Sequence, residues 1–457
     1  MSRSKVVVLA LLLLGLITTP AFASVTEFRL DNGLKIIVKE DHRAPVVVAQ
    51  VWYKVGSSYE HEGITGISHA LEHMMFKGTA KHPPGEFSKI IAENGGRENA
   101  FTNTDYTAYF QSLEKNRLPI SFELEADRMR HLKFIAQEFA KEIKVVMEER
   151  RLRTEDNPTA LLYERFAATA YQTSPYKDPV IGWMNDLQHM TVHDLEKWYS
   201  SWYGPNNATL VVAGDVDPQQ VYKLAKKYYG PVKPIKVHAL KPQKEVQQLG
   251  EKRMVLKVPA QVPYIIMGYK APVLTTDKDS WEPYALEVLA GILDGGSSAR
   301  LTRELVRGKQ IASQAGSSYD MYSRLSEMFL LDGTPAENHT IAELESALRD
   351  QVKQLRTTPV SDDELKRIKA QVVASKVYGQ DSFFYQAMQI GMLESVGLDA
   401  SLLDKYVDRI RAVTAKQVQE VAKKYLTDDR LTVGILEPQA GKHGRVPVTG
   451  GVLNGVR

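Results

Sequence analysis

The stretch Ile-Ser-His-Ala-Leu-Glu-His-Met-Met, residues 67–75, predicts a helix that begins near Gly66. Ile67, Leu71 and Met75 recur at spacings of four, which places them on one apolar side of that helix. The polar residues between them point in other directions, and two of these residues are histidines.

His69 and His73 stand at positions i and i+4, so both imidazoles lie on one helix face and can reach a single ion. Glu72 is close enough to take a proton from a water on that ion. Imidazole suits zinc, which in catalytic sites keeps three protein ligands and one water. The alternative is an exposed helix with two unrelated histidines, but with 11 histidines in the chain a chance match is uncommon. The motif predicts a zinc site that needs a third ligand.

Residues 140–153 predict a second helix, which offers carboxylates for that role. Glu142 and Glu149 lie seven residues apart, or two turns, so they share one face. Glu148 and Glu155 are also available, and most glutamates on such a helix are merely solvated. Spacing alone therefore leaves the choice among Glu148, Glu149 and Glu155 open.

Strand patterns surround these helices. An Asn-Gly pair at residues 32–33 separates two β-rich runs and predicts a hairpin. Further strands are expected at 46–53, 108–110 and 209–212, and helical stretches at 115–153 and 159–202. Strands followed by long helices predict an α+β fold, an antiparallel-rich sheet with helices packed on one face.

A helix–turn–strand pattern occurs twice, about 220 residues apart. The first copy starts at Met190 and ends in strand 210–212, and the second starts at Val413 and ends in strand 431–433. Because 457 residues exceed one compact core, we expect two homologous halves; the alternative is a chance resemblance. The expected domains are 24–230, which carries the metal motif, and 253–437, with 231–252 as a linker and 438–457 as a flexible tail.

The N-terminus has the pattern of a secretory signal peptide, residues 1–23. Arg3 and Lys5 precede an apolar run at 6–17, and small residues end it at Ala21-Phe22-Ala23. A membrane anchor is the alternative, but 12 apolar residues fall short of the roughly 20 that span a bilayer. We therefore expect an exported protein, with the periplasm as the best-fitting compartment.

Composition excludes several other classes. The chain has no cysteine, which rules out disulfides and thiolate metal sites. A formal charge of +3 and the lack of a basic stripe give a nucleic-acid partner no support. No other apolar segment is long enough to span a membrane, so we expect no membrane span in the mature chain.

The metal motif belongs to a longer pattern that resembles the pitrilysin/insulinase family of inverted-zincin peptidases. The matching residues are Gly56-Ser57, Glu60, Gly63, Gly66, His69-Ala70-Leu71-Glu72-His73-Met74-Met75-Phe76-Lys77-Gly78-Thr79, Gly95-Gly96, Asn99-Ala100-Phe101-Thr102, Ala126-Asp127-Arg128-Met129, Tyr203-Gly204-Pro205-Asn206-Asn207 and Gly295-Gly296-Ser297-Ser298-Ala299-Arg300-Leu301. The resemblance covers nearly the whole mature chain. It is closest to the half-length branch that includes the mitochondrial processing peptidase beta subunit.

This resemblance implies a complete metal centre. In that branch the third ligand follows the second histidine by the 76 residues that separate His73 from Glu149. Glu142 matches a glutamate that supports the site, and Glu72 matches the general base. One Zn²⁺ per chain and a pair of α+β halves that form half of a clamshell are implied as well.

Asn99, Ala100, Phe101 and Thr102 match the family's edge strand, beside which an extended peptide adds as a further strand. Main-chain pairing would tolerate many peptide sequences, while side-chain pockets would give preference. The alternative is an ordinary edge strand protected by neighbouring charge.

The second half departs from the family pattern. Self-sufficient members carry an Arg and, seven residues later, a Tyr that steady the tetrahedral intermediate. This chain has Val306 and Ser313 at those places. The resemblance implies a partner, either a homologous Arg/Tyr-bearing subunit in a heterodimer or a second copy in a homodimer. A shifted alignment, with Arg307 or Tyr319 compensating, is the alternative.

The leading interpretation is an exported zinc endopeptidase that acts on short or unfolded peptides inside a chamber, as one subunit of a two-chain assembly. A zinc-containing peptide-binding or assembly subunit with little turnover is the alternative, motivated by the missing Arg/Tyr pair. Hydrolysis of non-peptide esters at the same metal has no sequence feature in its favour.

Overall fold

The computed structural model describes residues 25–237, 239–277 and 280–440. Two sheets lie within these residues, one formed by strands before residue 215 and one by strands after residue 251. The expected signal peptide, 1–23, and residues 441–457 of the expected tail lie outside the described residues. Pro438 and Gln439, which the sequence placed in that tail, continue the last strand because they pair with Val258 and Pro259.

The first sheet has six strands, with β4 at one edge. They are β1 (Val25–Arg29), β2 (Lys35–Glu40), β3 (Val46–Tyr53), β4 (Arg97–Thr102), β5 (Thr107–Glu114) and β6 (Ala208–Gly214). Their order is β1-β2-β6-β3-β5-β4, antiparallel except between β2 and β6. The hairpin predicted around Asn32-Gly33 joins β1 to β2. At the opposite edge, β4 pairs with β5 alone among the described strands.

The helices of the first half are shorter than the sequence suggested. They are α1 (Ile67–Met74), α2 (Glu86–Glu93), α3 (Leu118–His131), α4 (Ala136–Arg150), α5 (Pro158–Ala170), α6 (Met184–His189), α7 (Val192–Trp202) and α8 (Pro218–Tyr228). The helical stretch expected at 115–153 is divided because Leu132 has an extended ψ of 134°, which separates α3 from α4. Tyr171 ends α5 in the same way, with ψ at 137°.

The second sheet repeats the arrangement of the first. Its strands are β7 (Lys252–Pro259), β8 (Tyr264–Ala271), β9 (Ala312–Ser318), β10 (Glu327–Pro335) and β11 (Leu431–Gln439), and its helices are α9 (Glu282–Asp294), α10 (Ile341–Thr357), α11 (Asp362–Gly379), α12 (Phe383–Val396), α13 (Leu402–Ala412) and α14 (Ala415–Tyr425). The order β7-β11-β8-β10-β9, with β7 and β11 parallel, matches β2-β6-β3-β5-β4. Both α7 and α14 begin at a capping box, formed by Thr191 and Thr414. The α+β fold with two similar halves is therefore confirmed.

One helix from each half packs on the sheet of the other half. The sequence did not predict this exchange. α12 packs on β3 and β6 of the first sheet, where Gly391 lies directly against the Trp52 indole. α5 packs on β7 and β11 of the second sheet, where Phe166 joins a small core with Ile266. Among the described residues, no helix combines the length and apolar composition that crossing a membrane requires.

Candidate metal centre

Two local features fix the start of α1, the helix that carries both histidines. Gly66 has a left-handed φ of +84°, and a Cβ there would come within 2.5 Å of the Ile181 carbonyl oxygen. The Glu60 carboxylate accepts hydrogen bonds from the backbone N–H groups of Gly66 (2.6 Å) and Ser68 (2.8 Å). A carboxylate at a helix N-terminus satisfies free donors and complements the helix dipole. This cap anchors the turn that precedes His69.

The structure brings His69, His73 and Glu149 together. Glu149 Oε2 lies 3.8 Å from His69 Nε2 and 3.4 Å from His73 Nε2. Tetrahedral zinc, with bonds of about 2.0–2.2 Å, keeps its ligand atoms roughly 3.4 Å apart. Within the part of the chain that the structure describes, this is the one group of three such residues with candidate ligand atoms within 4.8 Å of one another. The donor set therefore fits a zinc ion.

The charge states of His69 and Glu149 suit metal binding. Burial, reinforced by the neighbouring His73, lowers the pKa of His69 to about 4, so this imidazole is neutral at neutral pH. The hydrogen bond from His73 lowers the pKa of Glu149, which keeps its carboxylate ionised. A neutral imidazole and an ionised carboxylate are the forms that bind a metal. Burial lowers the pKa of His73, but its hydrogen bonds to Glu149 and Glu142 outweigh burial and raise that pKa overall, so a bound metal would take the place of a proton on this ring.

Packing separates Glu149 from the other glutamates that spacing left open. Glu149 is only 16% exposed and faces both imidazoles. Glu148 is 58% exposed and bonds to Arg151, while Glu155 pairs with Arg150. Immediately after α4 the chain forms one π-helical turn, Arg151–Glu155, which redirects the residues that follow Glu149.

Glu142 lies at the ring nitrogen of His73 that faces away from Glu149. Its Oε1 is 3.2 Å from His73 Nδ1, and its Oε2 is 2.6 Å from Lys77 Nζ. A carboxylate on the outer ring nitrogen holds the tautomer that leaves Nε2 free for a metal. Two cations to which the sequence assigned no role also lie here: Lys77, and Arg153, whose guanidinium lies 2.7 Å from Glu149 Oε1. The spacing of four residues between Glu149 and Arg153 is the signal that could have found the second of these.

Glu72 lies on α1 beside the two histidines, but its carboxylate bonds to β4 and not to another residue of the metal centre. Its Oε2 accepts a hydrogen bond from the Thr102 hydroxyl at the end of β4. Burial raises the pKa of Glu72, and the Thr102 hydrogen bond partly offsets that effect. A carboxyl group with a raised pKa is better matched to taking up and returning a proton near neutral pH.

The strand matched to substrate binding occupies the sheet edge next to this carboxylate. Asn99, Ala100, Phe101 and Thr102 all pair with β5, and no described strand lies on their outer side. Phe101 makes an edge-on contact with the Trp52 ring at 5.4 Å. Within the described residues the side of β4 away from β5 has no paired strand, and the backbone N–H of Ala100 donates to the Asn99 side chain at 2.9 Å.

Val306 and Ser313, which depart from the family pattern, both contact other residues of the second half. Val306 packs partly buried against the second core, and the Ser313 hydroxyl donates to the carbonyls of Thr334 and Pro335, both at 3.3 Å. Arg307 donates to the carbonyl of Ser297. Tyr319 donates its hydroxyl to the carbonyl of Pro272. Each candidate for compensation therefore has a partner within the second half.

Two family models match the chain. The model described as Insulinase (Peptidase family M16) matches residues 35–183. The model described as Peptidase M16 inactive domain matches residues 189–372. The boundary between them falls within the first half, just before α7.

Whole-chain relatives agree with these matches. Zinc protease PqqE of Helicobacter pylori is 34% identical over 425 residues, which cover 92% of this chain and 93% of that protein. An uncharacterized zinc protease of Bacillus subtilis, YmxG, is 25% identical over 89% of this chain and 96% of its own length. Both relatives are therefore similar along nearly their entire length.

Solved structures show the same fold. A protease from Helicobacter pylori has a TM-score of 0.86 at 32% identity, with 91% of this chain and 100% of that chain covered. The periplasmic protease PqqL from Escherichia coli has a TM-score of 0.76 at 18% identity, and the match covers 91% of this chain but 48% of that chain. The similarity to PqqL is one of fold, and this chain corresponds to half of that protein.

Proposed function

Because the chain belongs to the insulinase family of peptidases, family M16, we propose that it is a zinc-dependent endopeptidase that hydrolyses short or unfolded peptides. The observation that carries this proposal is the convergence of His69, His73 and Glu149 within ligand distance of one another, beside a buried Glu72. The zinc protease names of the relatives support the same metal.

Four side chains have assigned roles. His69, His73 and Glu149 hold one Zn²⁺, which when bound would polarise the scissile carbonyl and lower the pKa of a water molecule. Glu72 accepts the proton of the attacking water and returns it to the leaving amine. Glu142 keeps the His73 ring in one tautomer and orientation through Nδ1.

The substrate is proposed to lie along β4 as an added strand. Residues 99–102 form an edge that ends at the hydroxyl of Thr102, which is bonded to Glu72. A peptide paired with this edge would bring its main chain to the proton-transfer group with little dependence on sequence. Compact folded proteins present few free strands, so extended peptides are the expected substrates.

The active enzyme is proposed to contain two chains. Val306 and Ser313 replace the Arg/Tyr pair, and both Arg307 and Tyr319 are engaged elsewhere, which supports a clamp contributed by another subunit. The match to half of PqqL supports the same arrangement, since PqqL carries two such lengths in one chain. The partner is either a homologous Arg/Tyr-bearing chain or a second copy of this one.

Export to the periplasm is part of the proposal. The signal-peptide pattern of residues 1–23 supports it, and so does the periplasmic location in the name of PqqL. Expression of the full chain, followed by N-terminal sequencing of the protein recovered from the periplasmic fraction, tests this point. A protein that begins at Ser24 is expected, and an uncleaved cytoplasmic product would contradict it.

A second function, a zinc-containing peptide-binding or assembly subunit with little turnover, is favoured by the missing Arg/Tyr pair and by the inactive-domain match. The two functions are separated by incubating zinc-loaded protein with intramolecularly quenched peptides, alone and together with an Arg/Tyr-bearing homologous chain. Cleavage that requires His69 and appears or increases with the partner is expected. Peptide binding without turnover under both conditions would favour the second function.

A further inference from the structure

One residue of the second half bonds directly to the hairpin that carries the edge strand. Arg324 lies in the loop between β9 and β10, and its backbone N–H donates to Asp105 Oδ2 at 2.9 Å. Its Nε donates to Asp105 Oδ1 at 3.2 Å, and its Nη2 donates to the Ser58 hydroxyl at 2.8 Å. Asp105 belongs to the turn that joins β4 to β5.

The Asp105 carboxylate is buried and bonded on all sides. It is 4% exposed, and besides the two bonds from Arg324 it accepts hydrogen bonds from the hydroxyls of Ser58 (2.7 Å) and Tyr176. The Arg324 guanidinium rests 4.5 Å from the centre of the Tyr59 ring. A buried charge satisfied in this way has one well-defined geometry, and loss of one partner leaves the other unpaired.

The turn is also tied to the segment that precedes α1. The backbone N–H groups of Ser57 and Ser58 donate to the carbonyls of Asn103 (3.3 Å) and Thr104 (2.8 Å). A Cβ on Gly56 would lie 2.2 Å from the Asn103 carbonyl oxygen, so the two segments touch directly. From there the chain runs into Glu60, which caps α1.

Arg324 therefore contacts two segments, the turn at Asp105 and the residue Ser58, and each is connected to Glu72 by further hydrogen bonds. One route runs along the turn to Thr102, which bonds to the Glu72 carboxylate. The other runs through Ser58 and Glu60 to the N-terminus of α1, the helix that carries Glu72. Movement of the turn would change the distance between the edge strand and the proton-transfer group.

We propose that Arg324 is a positioning residue through which the second half sets the edge strand β4 against Glu72. This inference rests on the proposed peptidase function. It gives the half that contributes none of the metal-centre residues an indirect part in catalysis, since a displacement of about 1 Å at a reacting group can cost a hundredfold in rate. A general contact between the halves would instead affect only stability.

Arg324→Met and Arg324→Lys test the proposal, with Arg349→Met as the matched control. Arg349 also belongs to the second half, and it bonds to Glu251 (2.8 Å), Glu345 (2.9 Å) and Asp428 (3.3 Å). None of its hydrogen bonds or ion pairs within the described residues reaches the first half. Each variant is prepared as the full zinc-loaded chain, and it is measured alone and with an Arg/Tyr-bearing homologous chain. Hydrogen exchange of residues 57–60 and 97–106 is measured first, because it does not depend on catalysis.

Faster exchange in both segments is expected for Arg324→Met, a smaller change for Arg324→Lys and none for Arg349→Met. With quenched peptides, kcat/KM per bound zinc should fall about ten- to a hundredfold for Arg324→Met, with a raised KM. Equal behaviour of Arg324→Met and Arg349→Met would overturn the proposal. If Arg324→Met does not fold, Arg324→Lys decides, and wild-type exchange in that variant counts against the proposal. Absence of cleavage by the wild type would refute the peptidase function while leaving the exchange result readable.

Discussion

The Thr102 hydroxyl donates a hydrogen bond to Glu72 Oε2, which joins the end of the edge strand to the candidate general base. The two residues are 30 positions apart in the chain and belong to different elements, β4 and α1. A peptide that pairs with β4 would thus be held by the same strand that orients the proton acceptor. Under the proposed function, this one hydroxyl group would couple substrate placement to proton transfer.

Glu72→Gln should keep the metal and remove cleavage. The amide has nearly the same shape as the carboxylate but cannot take up a proton, so we expect kcat to fall by roughly 10²–10⁴ or more. Zinc content measured by mass spectrometry and cleavage of quenched peptides check this result. Substantial turnover by the zinc-loaded variant would remove Glu72 from its assigned role.

Thr102→Val should lower kcat without loss of zinc. Valine preserves the shape of the side chain but not its hydroxyl, and a hydrogen bond to a charged group contributes about 1.5–3 kcal/mol, or roughly ten- to a hundredfold in rate if fully expressed. Thr102→Ser retains the donor and serves as the control, with activity near that of the wild type. Equal activity of the Val and Ser variants would show that the bond to Glu72 is not used.

Glu142→Ala should weaken zinc binding. The substitution removes the carboxylate 3.2 Å from His73 Nδ1, and such partners typically contribute 10–100-fold to metal affinity. Glu148→Ala is the control, because it removes a carboxylate of the same helix, one that bonds to Arg151 at the surface. Zinc affinity, measured by competition with a chelator, should be unchanged in this control. A weaker metal site in the control as well would indicate a general effect on α4.

Gly391→Ala should destabilise the protein, although alanine is normally preferred by about 1 kcal/mol in a helix interior. A Cβ at Gly391 would lie 2.1 Å from atoms of the buried Trp52 indole, whose Nε1 is held by Gln50. Overpacking of this kind costs about 1–3 kcal/mol, so the clash should outweigh the helix preference. Gly250→Ala, where no atom lies within 4 Å of the added Cβ, is the control. Urea unfolding midpoints compare the two.

Glu245→Gln should reduce stability at neutral pH but not in strong acid. Burial raises the pKa of Glu245, but Lys270 and the backbone N–H groups of residues 172–174 more than offset this and hold it at about 2. Since the folded-state pKa lies below the ordinary value, the ionised carboxylate stabilises the fold above about pH 4.5, and this contribution disappears as the pH falls towards 2. We expect a difference of about 1–3 kcal/mol near pH 7.

Unfolding of wild-type and Glu245→Gln proteins at several pH values between about 7 and 3 checks this prediction. The difference in unfolding free energy should narrow as the pH falls below about 4.5. A difference that is constant with pH would show that charge on Glu245 is not the source of the stabilisation.

The sequence by itself determined the features that depend on the local structure of one helix, hairpin or repeated unit. The spacing of four between His69 and His73 fixes both rings on one face, because the helical repeat does so wherever the helix forms. The hairpin at Asn32-Gly33 and the repeated helix–turn–strand pattern rest on the same kind of local regularity, and they gave the α+β fold with two halves. Family spacing, and not helix geometry, distinguished Glu149.

Tertiary structure decided the relationships between distant elements. Only packing shows that Glu149 faces the imidazoles while Glu148 faces solvent, since one residue on a helix changes direction by about 100° and the orientation of α4 is set by its neighbours. The bond from Thr102 to Glu72 and the contact of Arg324 with Asp105 join segments that no local pattern links. Spacing determines which side chains share a face, but the packing of one element against another determines what that face meets.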